Sequence, residues 1–238
     1  MPENTPRTDA SWVSSPNPTL YSPRNLARYK RLVGELSHTY AWRIDNTALA
    51  GLYAEHVSAR HLEIGPADAE MLATTPPPAP PEQWRVDVLD INTAPLAHAQ
   101  QRLSGRAQVT AHLHDILAAP WPGLARTFTS IAMGNVLHCV PGAGFTAKAT
   151  AFNGLVDALT DDGVAFGYTL LGAGDPDADH NLPARLLMRA YNKPGRNTFH
   201  NRGDRLVDLE RQLNLRFAQV DVRVMHSAAV FVVRGPIR

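Results

Sequence analysis

The sequence predicts an α/β fold: a doubly wound, mostly parallel sheet of seven strands that ends in an antiparallel hairpin, with a helical cap at its front. Three observations lead there. From residue 61 onward, short strand-like runs alternate with amphipathic segments, and strands separated by helices pair in parallel through right-handed crossovers. The last two runs, Phe217–Val224 and Ala228–Val233, are joined by Met225-His226-Ser227 alone. That link is too short for a crossover and makes an antiparallel hairpin. The 238 residues are 44% hydrophobic, enough to bury a sizeable core without disulfides or structural metal.

The elements follow in order. Residues 1–23 carry Pro2, Pro6, Pro16, Pro18 and Pro23 without apolar periodicity and read as a flexible arm. A single domain spans 24–238, opening with helices over 24–57. Leu26, Tyr29, Val33, Leu36 and Tyr40 recur at spacings of three and four, the stripe of an amphipathic helix. A second helix starts at Asn46 or Thr47, either able to act as N-cap, and buries Leu49, Leu52 and Tyr53. His61–Ile64 is a strand that stops at Gly65-Pro66, followed by a short helix over Asp68–Leu72. Thr74–Pro81 is too rich in proline for helix or central strand and forms a stiff connector.

Arg85–Asp90 is a strand and Ala94–Leu103 a helix with Pro95 near its start. Val109–Leu113 is the third strand, and Pro120-Trp121-Pro122-Gly123 enforces a loop before the fourth, Phe128–Asn135. Phe145, Phe152, Leu155, Val156 and Leu159 mark one face of a helix that Asp162-Gly163 terminates. Val164–Leu171 is the fifth strand. Leu182–Tyr191 and Asp204–Leu213 are helices, and the hairpin closes the chain.

Composition excludes several classes of function. Twenty-three Lys and Arg balance 22 Asp and Glu, so there is no basic footprint for nucleic acid. One cysteine, Cys139, permits neither an internal disulfide nor a zinc site built on several thiolates, and no metal is expected. No apolar run reaches about 18 residues, and residues 1–20 lack an apolar signal core. The expectation is a cytoplasmic monomer or homodimer that handles a small molecule away from membranes.

Doubly wound sheets bind ligands beyond the carboxyl ends of their strands. The first strand ends in Glu63-Ile64-Gly65-Pro66-Ala67-Asp68, where Gly65 permits a tight turn and close backbone approach. The second ends at Asp90-Ile91, 25 residues after Gly65, where a carboxylate can accept both hydroxyls of a ribose. After the third come Asp115 and Ile116, suited to an exocyclic amine and to a base face. After the fourth come Asn135 and His138, the latter a candidate general base because its ordinary pKa lies near neutrality. Tyr168 lies late in the fifth strand, where its ring could attract a cation for ~1–2 kcal/mol. A nicotinamide dinucleotide does not fit, because only the first glycine of Gly-x-Gly-x-x-Gly is present.

Together, His61-Leu62-Glu63-Ile64-Gly65, Leu89-Asp90-Ile91, His114-Asp115-Ile116 and Asn135 resemble the motifs of the class I S-adenosylmethionine-dependent methyltransferases. Tyr40-Ala41-Trp42-Arg43, Glu55-His56-Val57 and Met188–Asn192 resemble a subgroup that acts on small molecules in microbial secondary metabolism. The resemblance covers residues 40 to the end. It implies S-adenosylmethionine as cofactor, held by Glu63, Gly65, Pro66, Ala67, Asp90, Ile91, Asp115, Ile116 and Asn135. Asn135, His138 and Tyr168 are then the candidate catalytic residues. One departure stands out: Gly65-Pro66-Ala67-Asp68-Ala69 replaces the family's repeated glycines, and Ala67 adds a methyl at the methionyl end.

Methyl transfer to a small acceptor is the leading expectation, and catalysis is then chiefly positioning, with a base if the acceptor carries a proton. The low charge of the expected pocket walls favours an apolar or mixed acceptor. Two alternatives use the same cofactor. The fold resembles the methyltransferase-like azetidine-2-carboxylate synthases, whose substrate closes a ring through its own α-amine and releases methylthioadenosine. A non-catalytic cofactor-binding protein is the other.

Overall fold

The computed structural model describes residues 37–193 and 198–238. The expected arm over 1–23 and the first part of the expected cap helix, 24–36, lie outside these residues. The described chain contains α1 (Asn46–His56), β1 (Arg60–Ile64), α2 (Glu70–Thr74), β2 (Arg85–Asp90), α3 (Thr93–Arg102), β3 (Gln108–Leu113) and β4 (Phe128–Gly134). Then follow α4 (Ala149–Ala158), β5 (Leu159–Leu170), α5 (Leu182–Tyr191), α6 (Leu206–Asn214), β6 (Phe217–Met225) and β7 (Ala228–Pro236).

The seven strands form one sheet in the order β3-β2-β1-β4-β5-β7-β6. β1 to β5 are mutually parallel, whereas β7 runs antiparallel to both neighbours. The expected hairpin is therefore present but folds inward. β7 fills the gap between β5 and β6, and β6 takes the edge. The chain steps outward from β1 through β2 to β3, then returns to β4. The resulting switch point opens a crevice between the carboxyl ends of β1 and β4.

Side-chain alternation divides the core into two layers. Leu62, Ile64 and Leu89 join Phe128, Phe152 and Leu155 on one face of the sheet. Val86, Val88, Phe166 and Tyr168 join Trp42, Leu49, Leu52 and Tyr53 on the other. The cap is clamped onto that second layer. Arg43 pairs with Asp179 at 2.7 Å, the Asn181 side chain donates to the Tyr40 carbonyl, and the backbone N–H of Asp45 reaches Met225 Sδ.

Three local expectations need correction. The N-cap of α1 is Asp45, whose Oδ1 accepts from the N–H groups of Thr47 and Ala48, so the helix begins at Asn46 with Asn46 freed from capping. The first loop is longer than the sequence implies, and α2 runs Glu70–Thr74 rather than Asp68–Leu72. Asp162-Gly163 does not end a helix. α4 stops at Ala158, and Leu159 already pairs with Phe128 as part of β5. The exposed aspartates sit at a register shift near the start of that strand.

Candidate active site

The crevice is built from the strand ends. Gly65 sits at φ +65°, and a Cβ there would come within 2.5 Å of Val136 Cγ2, so both conformation and packing require glycine. The two alanines that replace further glycines take the same strained region, Ala67 at φ +47° and Ala69 at φ +52°. Left-handed backbone costs an ordinary residue about 1–2 kcal/mol. Two alanines thus hold left-handed backbone that glycine would take without strain.

At the end of β2, Asp90 Oδ1 accepts from the Asn92 backbone N–H at 2.7 Å and its side-chain amide at 3.0 Å. Burial pushes the Asp90 carboxyl up to about 6, against the pull of these donors. At the end of β3, Asp115 Oδ1 accepts from the Leu117 N–H at 2.9 Å, which fixes the turn, and Ile116 is buried beside it. Ile91 lies half-buried next to Asp90, and Pro66 is buried behind Gly65.

Glu63 points to the opposite layer from Leu62 and Ile64. The Tyr53 hydroxyl donates to its Oε1 at 2.8 Å, and His61 Nε2 lies 3.2 Å from its Oε2. His61 Nδ1 continues the chain to Ser130 Oγ at 2.8 Å. The expected direct contact between Glu63 and a ligand thus competes with partners inside the protein, and its visible work is to tie α1 to β1.

Beyond β4 the backbone turns sharply at Asn135, φ +62°, whose N–H donates to the Tyr168 carbonyl at 2.7 Å. Gly134 makes room: a Cβ there would meet Tyr168 Cε1 at 2.8 Å and the Tyr53 hydroxyl at 2.9 Å. Tyr168 and Tyr53 therefore meet at Gly134, next to Asn135. His38, which the sequence did not single out, joins them. Its ring meets Tyr168 edge-on at 6.3 Å, and its Nε2 lies 3.5 Å from Asn135 Nδ2. Asn135 Oδ1 is buried with no partner among the described residues. The same holds for Nδ1 of His138, whose ring packs edge-on against Phe199 at 4.5 Å.

His138 is buried, and burial, then the Lys148 cation, lowers its pKa to about 3. Such a ring stays neutral near pH 7. Its neighbour Cys139 has a thiol pushed up to about 12, mainly by burial, which makes it inert as a nucleophile. The turn bearing both residues is anchored by Lys148, whose Nζ donates to the Leu137 and His200 carbonyls and pairs with Asp204 at 2.7 Å. A cavity of about 470 Å³ lies next to it, lined by Gly142, Asn192, Lys193, Phe199, His200 and Arg202. Three of the eight lining residues, which also include Ala143 and Gly203, carry basic side chains.

The chain is 32% identical over 232 residues to methyltransferase verB of Penicillium polonicum, covering 93% of this chain and 99% of that protein. It is 34% identical over 175 residues to the demethylluteothin O-methyltransferase of Streptomyces thioluteus, covering 73% and 71%. The chain belongs to the class I S-adenosylmethionine-dependent methyltransferases. Members of this family that it resembles include the N-methyltransferase vrtF of Penicillium aethiopicum, 31% identical over 184 residues, covering 77% and 73%. No family model matches the sequence.

Among solved structures, the fold is shared with the N-methyltransferase NodS of Bradyrhizobium japonicum WM9 in complex with S-adenosylhomocysteine. The TM-score is 0.55 at 19% identity, over 82% of this chain and 92% of that one. The O-methyltransferase NcsB1 of neocarzinostatin biosynthesis, in complex with S-adenosylhomocysteine and 1,4-dihydroxy-2-naphthoic acid, gives 0.56 at 20% identity, over 90% and 59%. S-adenosylmethionine is accordingly the family's cofactor, and a buried carboxylate, a Cβ-free turn and an orphaned amide oxygen along one crevice fit it. No helix among the described residues is long and apolar enough to cross a membrane.

Proposed function

We propose that this protein methylates a hydroxyl group of a small aromatic molecule in secondary metabolism, working in the cytoplasm. The observation that carries the reading is the single crevice in which Gly65, Asp90, Asp115 and Asn135 follow one another along the ends of β1, β2, β3 and β4. Asp90 takes the ribose hydroxyls through its carboxylate, Asp115 takes the adenine amine, and Ile91 and Ile116 cover the base faces. The turn over Gly65, Pro66 and Ala67 receives the methionyl end, with Glu63 holding its floor. When bound, S-adenosylmethionine supplies a methyl group activated by a positive sulfur. Tyr168 presents a ring to that charge, and Asn135 and His138 offer acceptors to the incoming substrate.

Lys193, His200 and Arg202 beside Phe199 suit an aromatic acceptor that also carries an acidic group. The test is twofold. Calorimetry with S-adenosylhomocysteine should give a one-site binding curve. Incubation with S-adenosylmethionine and either 1,4-dihydroxy-2-naphthoic acid or 1-naphthylamine should yield a methyl ether from the former and little from the latter. Methylthioadenosine formed from S-adenosylmethionine alone would instead establish ring closure and remove this reading.

A further inference from the structure

We propose that His38 is the group that takes the acceptor's proton, oriented for that role by Asn46. The inference rests on the methyl-transfer reading above and adds a catalytic residue to it. His38 Nδ1 lies 3.3 Å from Asn46 Oδ1, and an amide oxygen can only accept, so Nδ1 carries the ring's hydrogen. On the far side, Nε2 faces the Asn135 amide nitrogen at 3.5 Å, and an amide nitrogen can only donate, so Nε2 presents its lone pair. That lone pair meets the Asn135 amide only at the outer limit of a hydrogen bond, so an acceptor hydroxyl can take the amide's place there, beside the Tyr168 ring. A histidine with one nitrogen tied to an orienting oxygen and the other aimed at the site is the arrangement that proton abstraction needs.

A second observation points to a ligand at the same place. Asn135 Oδ1 is buried without a partner among the described residues. A buried acceptor left unpaired costs about 1–3 kcal/mol, so the Asn135 carbonyl oxygen, on the same amide that meets His38 Nε2, awaits a donor. A hydroxyl supplies that donor.

The groups facing His38 come from four elements: Asn46 from α1, Asp68 from the loop after β1, His138 and Asn135 from the turn after β4, and Tyr168 from β5. Burial lowers the His38 pKa, while the Asn46 bond and the Asp68 charge oppose it. The ring is thus neutral before reaction, and Asp68 favours the imidazolium that forms. The acceptor oxygen gives an electron pair to the methyl carbon, the pair of the breaking sulfur–carbon bond passes to sulfur, and His38 Nε2 takes the oxygen's proton. After product leaves, His38 yields that proton to water.

The test combines imidazole nitrogen NMR, calorimetry and turnover. With S-adenosylhomocysteine bound at pH 7.5, His38 should show hydrogen on Nδ1 and a bare Nε2, and Asn46→Ala should mix the tautomers. His38→Gln and His38→Ala should bind S-adenosylhomocysteine within threefold of wild type. Methylation of 1,4-dihydroxy-2-naphthoic acid should fall at least 100-fold in both variants, in line with the usual loss of a general base. In wild type that rate should fall as pH drops below the His38 pKa. Hydrogen on Nε2 at neutral pH, or His38→Gln at the wild-type rate, overturns the assignment of His38 while leaving cofactor binding intact. Failure of the wild-type protein to bind S-adenosylhomocysteine overturns the methyl-transfer reading itself.

Discussion

Replacing Asp90 with asparagine tests the cofactor crevice most directly. The variant keeps side-chain size and one carbonyl oxygen for the two Asn92 donors, so the turn after β2 should survive. What it loses is the charge and the second oxygen that a ribose would use. Hydrogen bonds to a charged group contribute about 1.5–3 kcal/mol each, so losing one weakens binding about 10- to 100-fold. The pH dependence gives a second, independent magnitude. Asp90 titrates at about 6 in the free protein, and only its ionised form accepts both hydroxyls. Apparent affinity should therefore fall about elevenfold between pH 8 and pH 5, the factor set by one proton competing at that pKa.

Calorimetric titration of S-adenosylhomocysteine across that range, on wild type and Asp90→Asn, measures both. The wild-type curve should slope and the variant's should be flat. Stability moves the opposite way. Because the folded pKa lies above the unfolded 3.8, the contribution of protonated Asp90 is full below about 3.8 and lost as pH rises through about 6. Cofactor-free wild type should lose stability relative to Asp90→Asn over that window. Equal affinities, or a wild-type curve flat down to pH 5, refute the ribose assignment.

Other perturbations follow from the same geometry. Gly65→Ala forces a left-handed alanine against Val136 and should destabilise by at least about 1–2 kcal/mol in urea unfolding; adding Val136→Ala should recover the clash but not the backbone strain. Lys148→Met leaves the Asp204 carboxylate buried and unpaired, which costs about 3–5 kcal/mol, and the double variant with Asp204→Leu should recover much of the loss. A single variant as stable as wild type would show the pair to be dispensable. Tyr168→Phe should keep transfer activity if the ring face acts, whereas Tyr168→Ala should lose it; equal rates for both would make the residue structural.

Much of this molecule could be read from residue order. β2 and β3 emerge from short apolar runs with period two, and the three-residue link at 225–227 fixes the hairpin. The strand-end residues Gly65, Asp90, Asp115 and Asn135 were legible because crossover topology obliges the carboxyl ends of parallel strands to share one edge. The N-cap slipped by one residue because Asp45, Asn46 and Thr47 all have short side chains with capping oxygens, and only backbone direction chooses among them. Asp162-Gly163 misled because a turn-like pair marks a strand irregularity as readily as a helix end.

His38 carried no local signal at all. It lies 97 residues from Asn135 and 130 from Tyr168 in sequence, and periodicity reports only on neighbours along one element. Sequence alone determined the fold class, the crevice and its carboxylates, since those follow from short-range patterns and from one topological rule. Tertiary structure alone decided what surrounds each histidine. Burial and the Lys148 cation lower the His138 pKa, whereas docking of the cap sets His38 between Asn46 and Asn135. Proton affinity is a property of surroundings, and those surroundings are assembled only when distant segments pack.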